Sequence, residues 1–487
     1  MDDIAATIAA PDLPFAMNAA QPPQIPPPIW PGPSALCLIC VSLAAIGGVF
    51  TSWSFLMWPE ALGLLAFFAL EFRGLSKMAR FLVAVCIAMV VFEYATERLD
   101  PDITAQAINR AAFMAFFLNS LSFLQHAAGR APLLRASGHI LVHQPPGRRY
   151  LVLTFGAALF GMLLNLSAIG LLGTMIAKGV APGTTAEDQR IAAIRRKRMT
   201  LAMIRGFCSI PMWSPITVTI ALITAAIPGL KWAEIAIYSA PLGVCFLLLG
   251  WGFDRHAYPQ RAGDARPDAP SLRGLVPLLA LAVAVPSLAL GLSQILGTSM
   301  IVALLLALPV ISAGWLWLQE RGHPGAIARV GHEIGHNILP NLPNMRTEIT
   351  LFACSAFLGV MVANIIDTQA LGHAITTAGL SSGATLAISA WLIVGLAMVG
   401  VNPIVSVTIL AGTLPKLAAL AISPVAVGVM LVSVWTISVN TTPYSTAVRL
   451  SARMIGTATP GQIGPRWNGS YAFSMLCLLS VLLLSFG

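Results

Sequence analysis

From residue 35 onward the chain alternates long apolar runs with short polar connectors. The runs fall at 35–50, 58–72, 81–94, 111–124, 151–176, 201–227, 232–252, 272–292, 299–317, 349–366, 384–414, 424–448 and 470–484. A helix needs about 20 apolar residues to cross a bilayer, so these runs predict membrane helices, the shorter early ones tilted. Two runs are broken from within. The stretch "SIPMWSPITVTI" contains Ser214-Pro215-Ile216-Thr217, and "SVNTTPYSTAV" contains Thr442-Pro443-Tyr444-Ser445. Proline removes a backbone donor and clashes with the preceding turn, so each run predicts a broken helix.

Upstream of each break, by about 40 to 50 positions, lies an apolar run bearing an asparagine: Asn165 with Ser167 in "LLNLSAIGLL", and Asn402 with Ser406 and Thr408 in "GVNPIVSVTIL". The same pair of features in the same order in both halves predicts an internal repeat. Loop charge sets the orientation. Arg130, Arg135, Arg148 and Arg149 precede the Asn165 run, and Lys178, Arg190, Arg195, Arg196, Lys197 and Arg198 follow it. Basic flanks are cytoplasmic, so this run predicts a re-entrant hairpin with both ends on one side. The flanks of the Asn402 run, 367–382 and 415–423, hold one lysine and no arginine. That run predicts a hairpin entering from the opposite face.

Composition agrees with a polytopic membrane protein. The 487 residues are 57% hydrophobic and 10% charged, with mean hydropathy +0.81, against about 25% charged in a soluble domain. The net charge of +9 is explained by cytoplasmic loops and carries no nucleic-acid implication. The expected organisation is a disordered proline-rich tail over 1–33, a first helix and first repeat over 34–253 with its hairpin at 151–177, a cytoplasmic linker over 254–271, and a second repeat over 272–487 with its hairpin at 384–414. The N-terminus is expected in the cytoplasm. Cys37 and Cys40 form a CxxC inside the first apolar run and read as packing residues.

The order of elements, with an Asn-tipped hairpin, a helix interrupted by a hydroxyl-proline turn and then the same set inverted, resembles the divalent anion/sodium symporters of the ion transporter superfamily. The hairpin tips of that family read Ser-Asn-Thr, with a Thr-Pro-Pro-Asn-like turn after the second. Here the tips read Leu164-Asn165-Leu166-Ser167 and Val401-Asn402-Pro403, and the late turn Thr442-Pro443-Tyr444-Ser445. The resemblance covers residues 35–487. It implies a mobile unit of hairpins and broken helices shifting across a homodimeric scaffold.

Broken helices at membrane depth belong where they line a wet cavity. Half-helix N-termini there attract an anion, and freed carbonyls with hydroxyl and amide oxygens replace the water shell of a hard cation. The expected site gathers Asn165, Ser167, Ser214, Thr217, Asn402, Ser406, Thr442 and Ser445. No Asp or Glu falls in the middle of a run, which points to sodium as the coupling ion. Arg205, in the first broken helix, is expected to snorkel to the cytoplasmic face.

One motif points elsewhere. His332-Glu333-Ile334-Gly335-His336 matches HExxH, which places two imidazoles on one helical face for zinc, with the Glu as general base. It would make the chain an intramembrane zinc metalloprotease with His332 and His336 as ligands. Its segment, 321–337, is polar and reads instead as a surface arm mirroring 128–143 of the first half. The expectation is therefore an all-α polytopic membrane protein with about 11 transmembrane helices in two inverted repeats, each with a re-entrant hairpin and a broken helix. It would act not as an enzyme but as a secondary transporter of a small organic or inorganic anion such as a carboxylate, in a bacterial inner membrane.

Overall fold

The computed structural model describes residues 31–51, 53–180, 185–259 and 270–486. The proline-rich tail and most of the 254–271 linker lie outside the described residues. The described chain is all-helical, with ten helices long and apolar enough to cross a membrane, or eleven if one bent pair is taken as a span.

The first half begins with α1 (Pro33–Phe50), α2 (Met57–Glu71) and α3 (Lys77–Ala95). Then comes the long α4 (Pro101–Arg130), started by Asp100, whose carboxylate accepts from the amides of Asp102 and Ile103 ahead of a proline in the first turn. A short α5 (Pro132–Val142) leads to α6 (Pro146–Leu164) and α7 (Leu166–Gly179). These are followed by α8 (Ala186–Cys208), α9 (Val218–Ala226) and α10 (Trp232–Ala257).

The second half holds α11 (Val276–Leu296), α12 (Met300–Glu320), a short α13 (Ala326–Glu333), α14 (Arg346–Ile365) and α15 (Thr368–Thr377). It ends with α16 (Ser382–Met398), α17 (Pro403–Thr413), α18 (Pro424–Thr441), α19 (Thr446–Ile455) and α20 (Trp467–Leu484).

Both Asn-bearing runs turn back on themselves. The far end of α7 returns to α5, where Met175 packs on Gly138 and Gly179 on Val142. Since α5 leads directly into α6, both ends of the first hairpin lie on one face. Likewise the segment after α17 returns to α15, with Ala419 against Gly372, and α15 meets α16 at 106°. The early residues of α4 (Ile103, Gln106) face the late residues of α14 (Ala363, Asn364) across one cleft, so α4 and α14 run antiparallel. Their C-terminal ends, and the hairpins that follow, therefore enter from opposite faces.

The structure corrects one detail of this symmetry. The segment α13, expected to mirror the region before the first hairpin, lies between α12 and α14; the element preceding the second hairpin, as α5 precedes the first, is α15. Two short polar segments are alike in sequence, and only the position of α14 between them tells them apart.

Packing has two centres within one continuous core. One group forms around α4, which packs on α1, α12 and α14. The other forms around α18, buried along nearly its whole length, as expected for a helix at the centre of a bundle. Around it stand α8, α10, α16, α17 and α20.

Candidate functional site

The two hydroxyl-proline turns have the same internal construction. In the first, the Ser214 hydroxyl accepts from the amide of Ile216 and the Thr217 hydroxyl caps α9 by accepting from Ile220. In the second, Thr442 accepts from Tyr444 and Ser445 caps α19 by accepting from Val448. The first hydroxyl of each motif thus replaces a helical bond lost at proline, and the second restarts the helix. The two turns matched in sequence are thus matched in hydrogen bonding.

The hairpin tips differ. Asn165 alone joins α6 to α7, with φ 50° and ψ −135°, a backbone region that favours glycine and, after it, asparagine. Its amide makes no side-chain hydrogen bond among the described residues and it is half-buried. The second tip is longer, running from Val399 to Asn402, with Gly400 at φ 103°. Here the Asn402 side chain is committed, its Oδ1 accepting from the amide of Ile404 to cap α17.

Each tip docks on the break of its own half. Gly161, one turn before Asn165, lies against Phe207 and Ile210 at the end of α8. In the second half the Thr442 hydroxyl donates to the Ala397 carbonyl at 2.7 Å, and the Tyr444 ring covers Gly400. The halves are then cross-linked. The return arm α7 packs on α19, with Gly173 and Thr174 against Met454, and the return arm α17 packs on α9.

Of the eight expected site residues, Ser214 and Thr442 are buried, while Asn165, Thr217, Asn402, Ser406 and Ser445 are half-buried and Ser167 is exposed. The Thr442 hydroxyl reaches Ala397, just before the second tip, the Ser445 hydroxyl donates to the Val439 carbonyl, and Ser214 and Thr217 lie beyond Ile210 in the first half. No hydrogen bond among the described residues joins the two sets. Buried polar groups without partners stand close to the second break: both amide atoms of Asn440 and the Ser438 hydroxyl.

Arg205 corrects a further expectation. It does not snorkel: it is buried within the bundle, donating to Asn468 at 2.9 Å, to the Tyr150 hydroxyl at 2.9 Å and to the Gly250 carbonyl at 3.1 Å. Its guanidinium also lies over the Tyr471 ring at 4.2 Å. All its partners are neutral, so it ties α6, α8, α10 and α20 together without a counter-ion.

Two charges were missed in the sequence. Arg110 lies well inside α4, and Glu60 is buried near the start of α2 with Oε2 unpartnered. Arg110 sits just before the run 111–124, where a window drawn around hydrophobic residues trims it away, and Glu60 is only the third residue of the run 58–72, where it reads as an end charge.

The HEIGH segment is engaged in another task. Glu333 pairs with Arg130, meets His126 at 2.6 Å, and accepts from Asn337 at 2.8 Å. His332 and His336 stack with ring centroids 4.0 Å apart. Among the described residues no group of three His, Cys, Asp or Glu side chains is placed to hold a metal. The carboxylate that would serve as general base is thus occupied in tying α13 to α4.

No protein-family model and no curated protein matches the chain. Among solved structures it is similar to the YdaH transporter of Alcanivorax borkumensis, at 14% identity over 83% of this chain and 97% of that one, with a TM-score of 0.50. It is also similar to MtrF of Neisseria gonorrhoeae, described as one of a class of antimetabolite efflux pumps, at 13% identity over 76% and 81% of the chains, with a TM-score of 0.43. This polytopic all-helical membrane chain thus shares its fold with the YdaH structure.

Proposed function

We propose that this protein is a secondary active transporter of a small organic or inorganic anion, coupled to sodium, in which the paired hairpin tips and broken helices form the transport site. The observation that carries the reading is the crossed packing of α7 on α19 and α17 on α9, which joins each hairpin to the broken helix of the other half. Irregular backbone at membrane depth is stable only where protein or a wet cavity satisfies it, and transporters place their sites there.

The helix starts at α9 and α19, each capped by a hydroxyl, supply partial positive charge for an anion. The hydroxyl, amide and carbonyl oxygens around them supply donors for sodium. The narrower kinship proposed here is with the divalent anion/sodium symporters. It rests on the order of elements and on the Asn and Thr-Pro residues they share with this chain. The two packing groups suit an elevator motion, with the group around α18 moving against the group around α4 in a homodimer. The basic loops put the start of α1 in the cytoplasm, and a bacterial inner membrane suits such a carrier.

Glu60 and Glu93 give reason to test proton coupling alongside sodium, because each is a buried carboxyl with one oxygen lacking a donor. The experiment is uptake into proteoliposomes at equal pH on both sides, using the anion that best stabilises the purified protein in a thermal-shift screen. An inward sodium gradient is expected to drive uptake, and replacing sodium by potassium or choline to stop it. Uptake that ignores sodium and follows an imposed pH gradient would overturn the coupling.

A further inference from the structure

A cavity of about 980 Å³ lies between α1, α2 and α4 on one side and the junction of α9 and α10 on the other. The end of α11 and the start of α12 close it. Because it is bounded by the last residues of α9 and α11 and the first of α10 and α12, it lies toward the face away from the basic loops. Its volume is at the upper end of organic-ligand pockets, roughly 300–1,000 Å³. The wall combines the cations Arg110 and Lys231, the amides of Gln106 and Asn109, and the rings of Phe113 and Trp232.

Arg110 is the pivotal group. It lies about 14 Å along α4 from Pro101, immediately before the apolar run that begins at residue 111. It lines a second cleft as well, bounded by α4, α9, α14 and α17, which reaches Thr408 and Gly412 on the return arm of the second hairpin. Among the described residues it has neither ion-pair nor hydrogen-bond partner. The acid of the outer cavity, Glu60, leaves it unpaired and keeps one carboxylate oxygen buried without a donor. Thr298, on the same wall, also has a buried hydroxyl without a partner. A lone cation set among apolar side chains is costly unless water or an anion reaches it.

We infer that this cavity is an anion-binding station separate from the hairpin tips, in which Arg110 pairs with the acidic head of an amphipathic organic anion while Phe113 and Trp232 cover its apolar body. Lys231 adds charge at the mouth. Guanidinium is suited to the anchoring position because its planar fork engages a carboxylate with two hydrogen bonds. The station stands between the face away from the basic loops and the second hairpin, since Arg110 belongs to both clefts.

The test uses full-length protein in nanodiscs of zwitterionic lipid and arginine-selective modification by p-hydroxyphenylglyoxal, with the Arg110 peptide quantified by mass spectrometry. Octanoate is expected to slow modification of Arg110 at least fivefold, octanol to leave it unchanged, and exposed Arg98 to react equally throughout. Lys231→Gln should weaken the protection about threefold. Modification of Arg110 at one rate with and without octanoate, or no modification in any condition, overturns the proposal. Asn165→Gly is expected to keep full protection. Protection that persists in a protein showing no sodium-driven uptake would support this station and count against the transport reading, while uptake without protection would do the reverse.

Discussion

At the scale of single residues, the two tip asparagines have different duties despite their matching places in the sequence. Asn402 caps a helix through its side chain, so Asn402→Ala is expected to lower stability by about 1 kcal/mol. Asn402→Asp, which retains a capping oxygen, should restore most of it; equal melting temperatures for the two variants would contradict the capping role. Arg205 is buried and donates to three neutral acceptors on α6, α10 and α20. Arg205→Gln should destabilise the protein by about 3 kcal/mol, since hydrogen bonds from a charged group are the stronger kind. Lysine should rescue little, because a point charge cannot replace the fork. A thermal melt unchanged in both variants would show that the tie does not hold the bundle. For the HEIGH segment, His332→Ala is expected to leave uptake intact, and metal analysis of purified protein to find no stoichiometric zinc; one zinc per chain would revive the protease reading.

Helix packing turns on a few glycines. At Gly206 a Cβ would overlap the Thr154 carbonyl, so α6 and α8 approach at backbone distance. At Gly359 it would meet Thr408 Cβ at 2.9 Å and the Thr408 carbonyl at 3.0 Å, where α14 touches α17. Gly206→Ala, where α8 meets α6, should cost stability, about 1–3 kcal/mol of overpacking strain. Gly359→Val lies between the groups and is expected to reduce uptake several-fold with a smaller change in melting temperature. If both variants lose stability and activity in parallel, the division into two groups is wrong. Much of this level was legible in the sequence. Proline between two hydroxyls marked both breaks, and asparagine within an apolar run marked both tips, because each feature has a local backbone cause. The swap of α13 and α15 was not legible, since amphipathic connectors carry no mark of which helix they follow. Arg205 was misjudged because its partners Tyr150, Gly250 and Asn468 are scattered far along the chain, and only the fold assembles them.

For the whole molecule, the antiparallel run of α4 and α14 makes the hairpins enter from opposite faces, as the loop charges alone had indicated. In a cysteine-free background, a cysteine at Ser382 should react with a membrane-impermeant thiol reagent from outside the cell, and one at Gln189 should not. The reverse pattern would invert the orientation, and equal labelling would remove the opposed hairpins altogether. Arg110 shows where reading the whole chain from hydropathy stops. Its meaning comes from two clefts built by nine helices, and nothing in its neighbours along α4 announces them.

The central claim is that the hairpin tips act on the transported ions, beyond shaping the backbone. Asn165→Gly tests it most directly, because glycine accepts the φ of 50° at the first tip and removes only the amide. The measurement is sodium-driven uptake by this variant in proteoliposomes, beside its thermal melt. An unchanged melting temperature is expected, with uptake reduced at least tenfold. Wild-type uptake by a normally folded Asn165→Gly protein would contradict it.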